Sequence, residues 1–395
     1  MLFTMRRLQT CPAGGRTIAA LVAVLALLAA ALLADNLMAG EGPQAAAKAG
    51  DLPFLAGGDI SLAAKIEEHG GVYRDGGAPR DLLEIFRCRG ATCMRLRLFH
   101  TPNGVGAVCN DLAYTIRLGK RIKDAGFLLL LDFHYSDTWA DPSHQPKPAA
   151  WKDLPMDNLE RAVFEYTRDS IKAMAAGGAR PDIVQVGNEI TPGMLWPDGK
   201  PDKTPESWVR LGRLIKAGLR GVREAAGSGP PLRTMLHADT GGRRAATQWF
   251  FDHVKEQGAE FDLIGLSYYP VWHGTLDNLR ENLVATAARY GKPIVVVETA
   301  YPWTAGDPKW DKWQGPDNKV RDKYPLTPEG QRQFLADLVK TVRETPDGLG
   351  CGILWWAPEW IAVKGFDGHG ASLALFDRDG NALPALDLLR GGLAK

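Results

Sequence analysis

The sequence predicts one α/β domain, a (β/α)8 TIM barrel in which parallel strands alternate with helices. Short apolar segments alternate with longer helical patterns from about residue 52 onward, which is typical of parallel β/α units. Eight such apolar segments occur, the number of strands that closes this barrel. Several of them end in polar or charged residues, as strands do when their carboxyl ends form an active face.

The eight strands are predicted at residues 56–61, 93–99, 128–134, 183–188, 233–237, 262–269, 294–298 and 352–356. The helices between them are predicted at residues 111–125, 159–176, 205–226, 276–290 and 328–344. Longer inserts follow strands three, four and seven, which places them on the active face of the barrel. Because no repeat or linker divides this region, residues 52–395 are predicted to form one catalytic domain.

The first 51 residues are predicted to lie outside that fold. Arg6, Arg7 and Arg16 precede an uninterrupted apolar run at residues 17–34, so residues 1–34 are expected to be an export signal or a membrane anchor. The length of the run fits both alternatives. Residues 35–51 are rich in Ala and Gly and indicate a flexible linker. In either case the domain is expected to be exported, as a secreted, periplasmic or cell-surface protein.

Composition narrows the class of ligand. The 395 residues include 47 basic and 46 acidic side chains, mixed along the chain, so no positive field favours nucleic acid. The 12 tryptophans are more informative, because an exposed indole in a loop favours a ligand on which it can stack, and sugar faces are such ligands. We expect a monomer that meets a membrane only through its N-terminal segment.

Cysteine usage is compatible with export but does not establish it. Cys88, Cys93, Cys109 and Cys351 permit up to two disulfides, and the alternative is that they are small buried hydrophobes. They contain no Cys-x-x-Cys pair and therefore no zinc pattern.

The predicted fourth and seventh strands each end in a glutamate. Residues 183–186 are β-branched and bounded by Pro181 and Gly187, and Asn188 and Glu189 follow them. The seventh strand ends at Glu298 in the same way. Two carboxylates at one barrel face indicate a retaining glycoside hydrolase, in which one acts as acid/base and the other as nucleophile. A single glutamate after a strand could equally be a helix cap or a surface ion-pair partner.

The second strand carries Arg95 and Arg97 on the same side, because side chains alternate along a strand. Arginines inside a barrel need anionic partners. Arg97 is nearer the mouth, so we expect it to hold the nucleophilic carboxylate ionised through a charge-assisted hydrogen bond. The alternative is a structural ion pair.

The third strand leads into a segment dense in polar and aromatic residues. Asp132, His134 and Asp137 are predicted to recognise sugar hydroxyls, and Trp139 to stack on a sugar ring. A metal site is not predicted, because His134 stands alone on its strand and barrel metal hydrolases place more histidines at strand ends. A buried structural role for His134 is the alternative.

The remaining site residues come from other strands and their loops. His237 ends strand five and is predicted to bind substrate. Tyr269 shares a face with Ser267 on strand six and could reach the nucleophile. Tryptophans follow strands four, seven and eight and are predicted to line sugar subsites or, alternatively, to pack in the core: Trp196, Trp303 and Trp356.

Five segments carry a resemblance to the endo-β-1,4-galactanases of glycoside hydrolase family 53. They are Gly58-Asp-Ile-Ser61, Leu131-Asp-Phe-His-Tyr-Ser-Asp-Thr-Trp-Ala-Asp-Pro142, Val184-Gln-Val-Gly-Asn-Glu-Ile190 with Leu195-Trp-Pro197, Leu266-Ser-Tyr-Tyr-Pro-Val-Trp-His-Gly-Thr275, and Val296-Val-Glu-Thr-Ala-Tyr-Pro302. Together they span nearly all of the chain after residue 52. The most specific are the second run, residues 131–142, and the third run, which begins with residues 184–190.

The resemblance implies retaining endo-hydrolysis of β-1,4-galactosidic bonds in type I arabinogalactan, the pectic galactan of plant cell walls, without a cofactor. It also implies that Glu189 is the acid/base, Glu298 the nucleophile and Asn188 the partner of the sugar 2-hydroxyl. Arg97, His134, Tyr269 and Trp356 are implied to line the site. Some members bind calcium after strand seven, where this chain offers the oxygen ligands Asp307, Asp311, Asp317 and Asn318, although solvated surface charge explains these residues equally well.

Two segments depart from the pattern of that family. Residues 99–109 replace a short turn after strand two, and Trp356-Ala-Pro358 replaces Trp-Glu-Pro after strand eight. Both changes bear on subsites and not on the catalytic pair. Three alternatives stay open: another retaining β-glycanase such as a mannanase, a non-catalytic polysaccharide-binding barrel, and a metal-dependent hydrolase.

Overall fold

The computed structural model describes residues 52–366 and 368–391, apart from the side chains of Pro308, Lys309 and Asp311. The predicted N-terminal segment and linker lie outside these residues. Within the described ranges, no helix has the length and apolar character needed to cross a membrane.

Eight parallel strands close into a barrel, which confirms the predicted fold class. They are β1 Leu55–Asp59, β2 Cys93–Leu98, β3 Leu128–Phe133, β4 Ile183–Val186, β5 Arg233–Ala238, β6 Leu263–Ser267, β7 Ile294–Thr299 and β8 Gly350–Trp356. Each strand pairs with its neighbours in sequence, and β1 closes the sheet against β8. Every predicted strand is found, with ends that differ by a few residues. β4 stops two residues before the predicted end because the backbone leaves the sheet at Gly187.

Nine α-helices surround the barrel in the described residues: α1 Ala63–Glu68, α2 Leu82–Cys88, α3 Leu112–Asp124, α4 Met156–Ala176, α5 Pro205–Ala226, α6 Arg244–Glu256, α7 Pro270–His273, α8 Leu276–Tyr290 and α9 Pro328–Arg343. The five predicted helices are all present. The helices named in the prediction did not include α1, α2 and α7, which are short. They also did not include α6, although its apolar residues recur at helical spacing. In α6, Thr247, Phe250, Phe251 and Val254 are buried at the spacing of one helix face.

The barrel interior is divided into an apolar layer and a polar layer. Near the amino ends of the strands, one compact cluster fills the barrel: Leu55, Cys93, Leu130, Ile183, Met235, Leu263, Val295, Val297, Cys351 and Leu354. Because alternate residues of a strand face the same side, the next inward positions toward the carboxyl ends belong to polar residues such as Arg95, Asp132 and His237. A second, larger core packs between the strands and the outer helices. The strands therefore place the polar layer directly below the active face.

The four cysteines of the described chain are unpaired thiols. Cys93, Cys109 and Cys351 are buried, and Cys88 is exposed. The alternative interpretation, that these residues are small hydrophobes, fits the three buried ones.

Candidate active site

Arg95 lies at the centre of the polar layer and forms ion pairs with three carboxylates around it. Its guanidinium donates from Nη1 to Asp59 (3.0 Å) and Glu298 (3.2 Å), and from Nη2 to Asp132 (2.8 Å) and to the Asn188 side-chain oxygen (2.8 Å). Its side chain is only 1% exposed, so these contacts occur in a medium that strengthens them. Arg95, on β2, thus connects β1, β3, β7 and the end of β4, and it holds three of the predicted site residues: Asp132, Asn188 and Glu298.

The prediction that Arg97 would bind Glu298 was wrong, because Arg95 makes that contact. The guanidinium of Arg97 instead donates to Asp59 (3.1 Å) and lies over the ring of Trp139, 4.3 Å from its centroid. Arg97 is nearer the mouth, as expected, and it lines the cavity described below.

Glu189 is turned into the barrel by an unusual stretch of backbone at the end of β4. Gly187 has φ +85° and Glu189 has φ +49°, both in the left-handed region. A Cβ added to Gly187 would lie 2.6 Å from Cγ2 of Ile190, so the glycine is needed there. A non-glycine residue in this conformation costs about 1–3 kcal/mol, and such strain is common at functional sites.

A chain of hydrogen bonds leads from His237 to the Glu189 carboxylate. The Ser267 hydroxyl donates to Oε1 of Glu189 (2.6 Å) and lies 2.8 Å from Nε2 of His237. Nδ1 of His237 lies 3.3 Å from the backbone N–H of Glu189, 3.1 Å from the side-chain N–H of Gln185 and 3.0 Å from the side-chain oxygen of Asn188. Because two of these three neighbours are donors, we assign the imidazole proton to Nε2, which then donates to Ser267. Burial and the nearby Arg95 and His134 lower the pKa of His237 well below its usual value, which keeps the ring neutral.

Glu298 and Glu189 have different surroundings although they are neighbours. Tyr269 donates to Oε1 of Glu298 (2.8 Å), as predicted, and Arg95 lies beside Oε2. Burial raises the pKa of Glu298, while Arg95 and Tyr269 act to lower it. Burial, Glu298 and Asp239 raise the pKa of Glu189 well above its usual value. A proton shared by the pair therefore resides on Glu189, which leaves Glu298 as the ionised member.

Glu189, His237 and Glu298 also form the one group in the described part of the chain that is close enough to hold a metal ion, with possible ligand atoms within 4.8 Å of one another. Their contacts are those of an acid–base site. Both ring nitrogens of His237 face protein partners, and Arg95 presents a cation to Glu298. We therefore interpret this group as a carboxylate pair with a supporting histidine.

Replacing Ser267 by Ala should shift the pH profile of the enzyme. The Ser267 hydroxyl stabilises the ionised form of Glu189 and so lowers its pKa, and its removal should raise that pKa further. If protonated Glu189 is required, the alkaline limb of kcat/KM should move to higher pH, with the acid limb unchanged. Ser170→Ala removes another buried hydroxyl, in α4, and should leave both limbs in place. An unchanged alkaline limb in Ser267→Ala would contradict the proton assignment.

A cavity of about 810 Å³ opens above this polar layer. Its floor is formed by the catalytic candidates and its sides by aromatic and polar loop residues. The lining comprises Arg95, Arg97, Ala107, His134, Trp139, Ala140, Asp141, Pro142, Ser143, Asn188, Glu189, Asp239, Arg243, Tyr269, Trp272, His273, Glu298, Trp310, Lys312, Trp356, Trp360 and His369. The volume falls within the range of about 300–1,000 Å³ that is usual for ligand sites.

Eight of the predicted site residues line this cavity: Arg97, His134, Trp139, Asn188, Glu189, Tyr269, Glu298 and Trp356. Two others, Asp132 and His237, lie in the polar layer below the cavity and contact residues around it. Asp132 contacts Arg95 (2.8 Å) and Nε2 of His134 (3.0 Å), and His237 contacts Ser267. Asp132 and His237 are completely buried, so the prediction that they contact a sugar directly does not fit the structure.

The three other predicted residues are outside the cavity lining and hold loops together. Asp137 accepts the backbone N–H groups of Thr101 (2.9 Å) and Ala149 (2.8 Å). The indole N–H of Trp196 donates to Pro192, and that of Trp303 donates to Ala371. Trp196 is therefore used within its own loop, whereas Asp137 and Trp303 each connect their loop to a neighbouring one. The prediction of sugar contact for these three residues does not match their positions.

The cavity wall also contains aromatic residues that the sequence analysis did not select: Trp272, Trp310, Trp360 and His369. Trp272 lies in the quoted segment after β6, and the structure distinguishes it by an exposed fraction of 45%, which the sequence does not reveal. At the suggested calcium position, the carboxamide of Asn318 is used internally. It donates to Tyr301 (3.1 Å) and to the Trp313 carbonyl (2.9 Å), while the side chain of Asp311 lies outside the described ones.

Comparison with known proteins gives consistent results over the whole barrel. The family described as Glycosyl hydrolase family 53 matches residues 55–389. An uncharacterized protein from the bgaB 5' region of Niallia circulans is 45% identical, over 86% of this chain and 94% of that protein. An arabinogalactan endo-beta-1,4-galactanase of Cellvibrio japonicus is 34% identical, over 85% of this chain and 90% of the relative. The solved GH53 catalytic domain of Ignisphaera aggregans is 36% identical with a TM-score of 0.79, over 88% of this chain and 99% of that domain.

Proposed function

The chain belongs to glycosyl hydrolase family 53, and from this premise we propose that it hydrolyses internal β-1,4-galactosidic bonds of arabinogalactan with net retention. One observation carries the assignment of the site. Glu189 and Glu298 stand at the ends of β4 and β7 with carboxylate oxygens within 4.8 Å of each other. Carboxyl groups about 5–5.5 Å apart are typical of retaining enzymes, whereas inverting enzymes need a wider gap for water.

In the first step, ionised Glu298 attacks the anomeric carbon and the bond to the leaving sugar breaks. Arg95 and Tyr269 hold the Glu298 carboxylate in place through hydrogen bonds at 3.2 and 2.8 Å. Glu189, protonated because its pKa is raised, gives its proton to the leaving oxygen. The product is a galactosyl ester of Glu298 and a shortened chain with a new free end.

In the second step, Glu189 changes its role from acid to base. Once Glu298 is esterified its negative charge is gone, and one cause of the raised pKa of Glu189 disappears with it. Ionised Glu189 then takes a proton from water as the water oxygen attacks the anomeric carbon. The ester bond to Glu298 breaks, and the configuration of the sugar is retained after two inversions.

Asn188 is positioned to contact the sugar that reacts. Its side-chain oxygen accepts from Arg95 (2.8 Å) and one N–H donates to the Ala140 carbonyl (2.8 Å). The second N–H of the carboxamide remains for a substrate hydroxyl, and Asn188 lines the cavity. We assign it to the 2-hydroxyl, and Trp139 and Trp356 to stacking on sugar faces.

The test of this function is the action of the purified protein on β-1,4-galactan, compared with β-1,4-mannan and cellulose. We expect release of reducing ends and short oligosaccharides from galactan, with newly formed ends in the β-configuration when observed by NMR during early turnover. Release from mannan or cellulose in preference to galactan would overturn the substrate. Early release of α-anomers would overturn the retaining mechanism.

Export is also part of the proposal and rests on the sequence of the first 34 residues alone. Arg6, Arg7 and Arg16 before an 18-residue apolar run support it. A polysaccharide too large to enter a cell requires an enzyme on the outside, which is consistent with such a segment.

A further inference from the structure

The cavity contains one cation whose partner is missing from the described residues. Among the described side chains, four arginines and lysines line the cavity, and three of them are paired with carboxylates, namely Arg95, Arg97 and Arg243. The fourth is Lys312. In the part of the chain that the structure describes, its ammonium has no carboxylate within 4.0 Å and no hydrogen-bond acceptor, and its close contacts are to aromatic rings.

Lys312 is held against tryptophans at the edge of the cavity. Its Nζ lies 3.8 Å from the ring centroid of Trp272 and 5.9 Å from that of Trp310. These distances are those of cation–π contacts, which fix the direction of the ammonium without neutralising its charge. Burial lowers the pKa of Lys312, and the negative charge of Asp317 acts in the opposite direction. An ammonium that is partly desolvated and has no ion-pair partner among the described side chains gains most from an anion supplied by a ligand.

The rings beside Lys312 form a surface on which a sugar can lie. Trp272 and Trp310 meet at 74° with centroids 6.4 Å apart, and Trp310 meets Trp356 in the same way at 6.2 Å. Trp272 is 45% exposed, although burial of its indole would be favourable. Hydroxyl groups of neutral galactose need hydrogen-bond partners but no cation. An ammonium can also donate to neutral hydroxyl groups, but only an anionic group neutralises its charge, so its position at the end of an aromatic platform favours an acidic sugar.

We propose that Trp272 and Lys312 form an outer subsite for a sugar that carries a carboxylate, a uronic acid unit of the same glycan. The inference rests on the proposed function, because the uronate must reach this subsite as part of a galactan chain whose other units occupy the cavity. Because the ammonium covers one face of the Trp272 indole, the sugar ring lies along the edges of Trp272 and Trp310, and the ammonium binds the carboxylate. The subsite makes the enzyme favour galactan bearing acidic units over plain galactan.

The experiment uses galacto-oligosaccharides of equal length, either neutral or oxidised at C6 of one residue to a carboxylate. Binding is measured calorimetrically with Glu298→Gln protein, so that no hydrolysis interferes. We expect at least one acidic oligosaccharide to bind on the order of three- to tenfold more tightly than the neutral one, and this preference to shrink as salt is raised. Lys312→Met should abolish the preference, and Lys312→Arg should keep it.

A matched control is Lys323→Met, which removes the same charge from the same insert. Lys323 pairs with Asp337 (2.8 Å) and does not line the cavity, so the preference should persist. Equal binding of acidic and neutral oligosaccharides, or a preference unchanged in Lys312→Met, would overturn the subsite. Neutral galactan hydrolysis by the wild type is assayed in parallel. Its presence without an acidic preference refutes this inference alone, whereas its absence refutes the proposed function.

Discussion

Replacement of Glu298 by Gln is expected to lower kcat on β-1,4-galactan by roughly 10³-fold or more, because an amide cannot serve as the nucleophile. The amide keeps the size of the side chain and can still accept the hydrogen bond from Tyr269. Binding of galacto-oligosaccharides should therefore change little. Initial rates of reducing-end release and calorimetric binding measure the two effects separately. Activity near that of the wild type would refute the assignment.

Azide can distinguish the nucleophile from the acid/base, because the anomeric configuration of the galactosyl azide depends on which carboxylate has been removed. With an activated aryl β-galactoside oligomer, Glu298→Ala should be rescued by azide. The azide attacks in the space left by the carboxylate, the aryl oxide leaves, and an α-galactosyl azide forms. In Glu189→Ala the galactosyl ester of Glu298 still forms, and azide then displaces it to give the β-azide. If Glu298→Ala gave the β-azide and Glu189→Ala gave the α-azide, the roles of the two glutamates would be reversed.

The sequence was sufficient to predict the barrel and the positions of both glutamates, because each rests on a local pattern. An apolar strand that ends in a carboxylate is visible within a few residues, and the register of parallel strands then brings strand ends to one face. The partner of Glu298 could not be predicted in this way. Arg95 and Arg97 share a face of β2, and which one reaches Glu298 depends on side-chain conformation and on Asp59, which lies on a different strand.

The cavity walls were the least predictable part, since a loop tryptophan can face either a ligand or the backbone of its own or a neighbouring loop. Trp196 and Trp303 follow catalytic strands, yet their indole N–H groups bind carbonyls of Pro192 and Ala371. Trp272 and Trp310 have no stronger sequence signal and do line the cavity. The difference arises from contacts between loops that are distant in sequence, which a strand or helix period does not encode.

Replacing Arg95 by Met should have the second largest effect, on both stability and activity. Arg95 donates to three carboxylates and to Asn188, all buried, and Met fills similar space without the charge. Breaking a buried ion pair by removing one partner costs about 3–5 kcal/mol, so the free energy of unfolding should fall by this order. Because Arg95 lowers the pKa of Glu298, its loss should raise that pKa and move the acid limb of kcat/KM to higher pH.

Arg97→Met is the matched control for Arg95→Met, because both changes remove an inward arginine from the same face of β2. Arg97 donates to Asp59 alone among the described carboxylates, and Asp59 would retain its contact with Arg95 (3.0 Å). Its loss should therefore be less destabilising and leave the acid limb in place. Chemical unfolding and pH–rate profiles of the two variants check this ordering. If Arg97→Met shifted the acid limb and Arg95→Met did not, Arg97 would control Glu298 in solution after all.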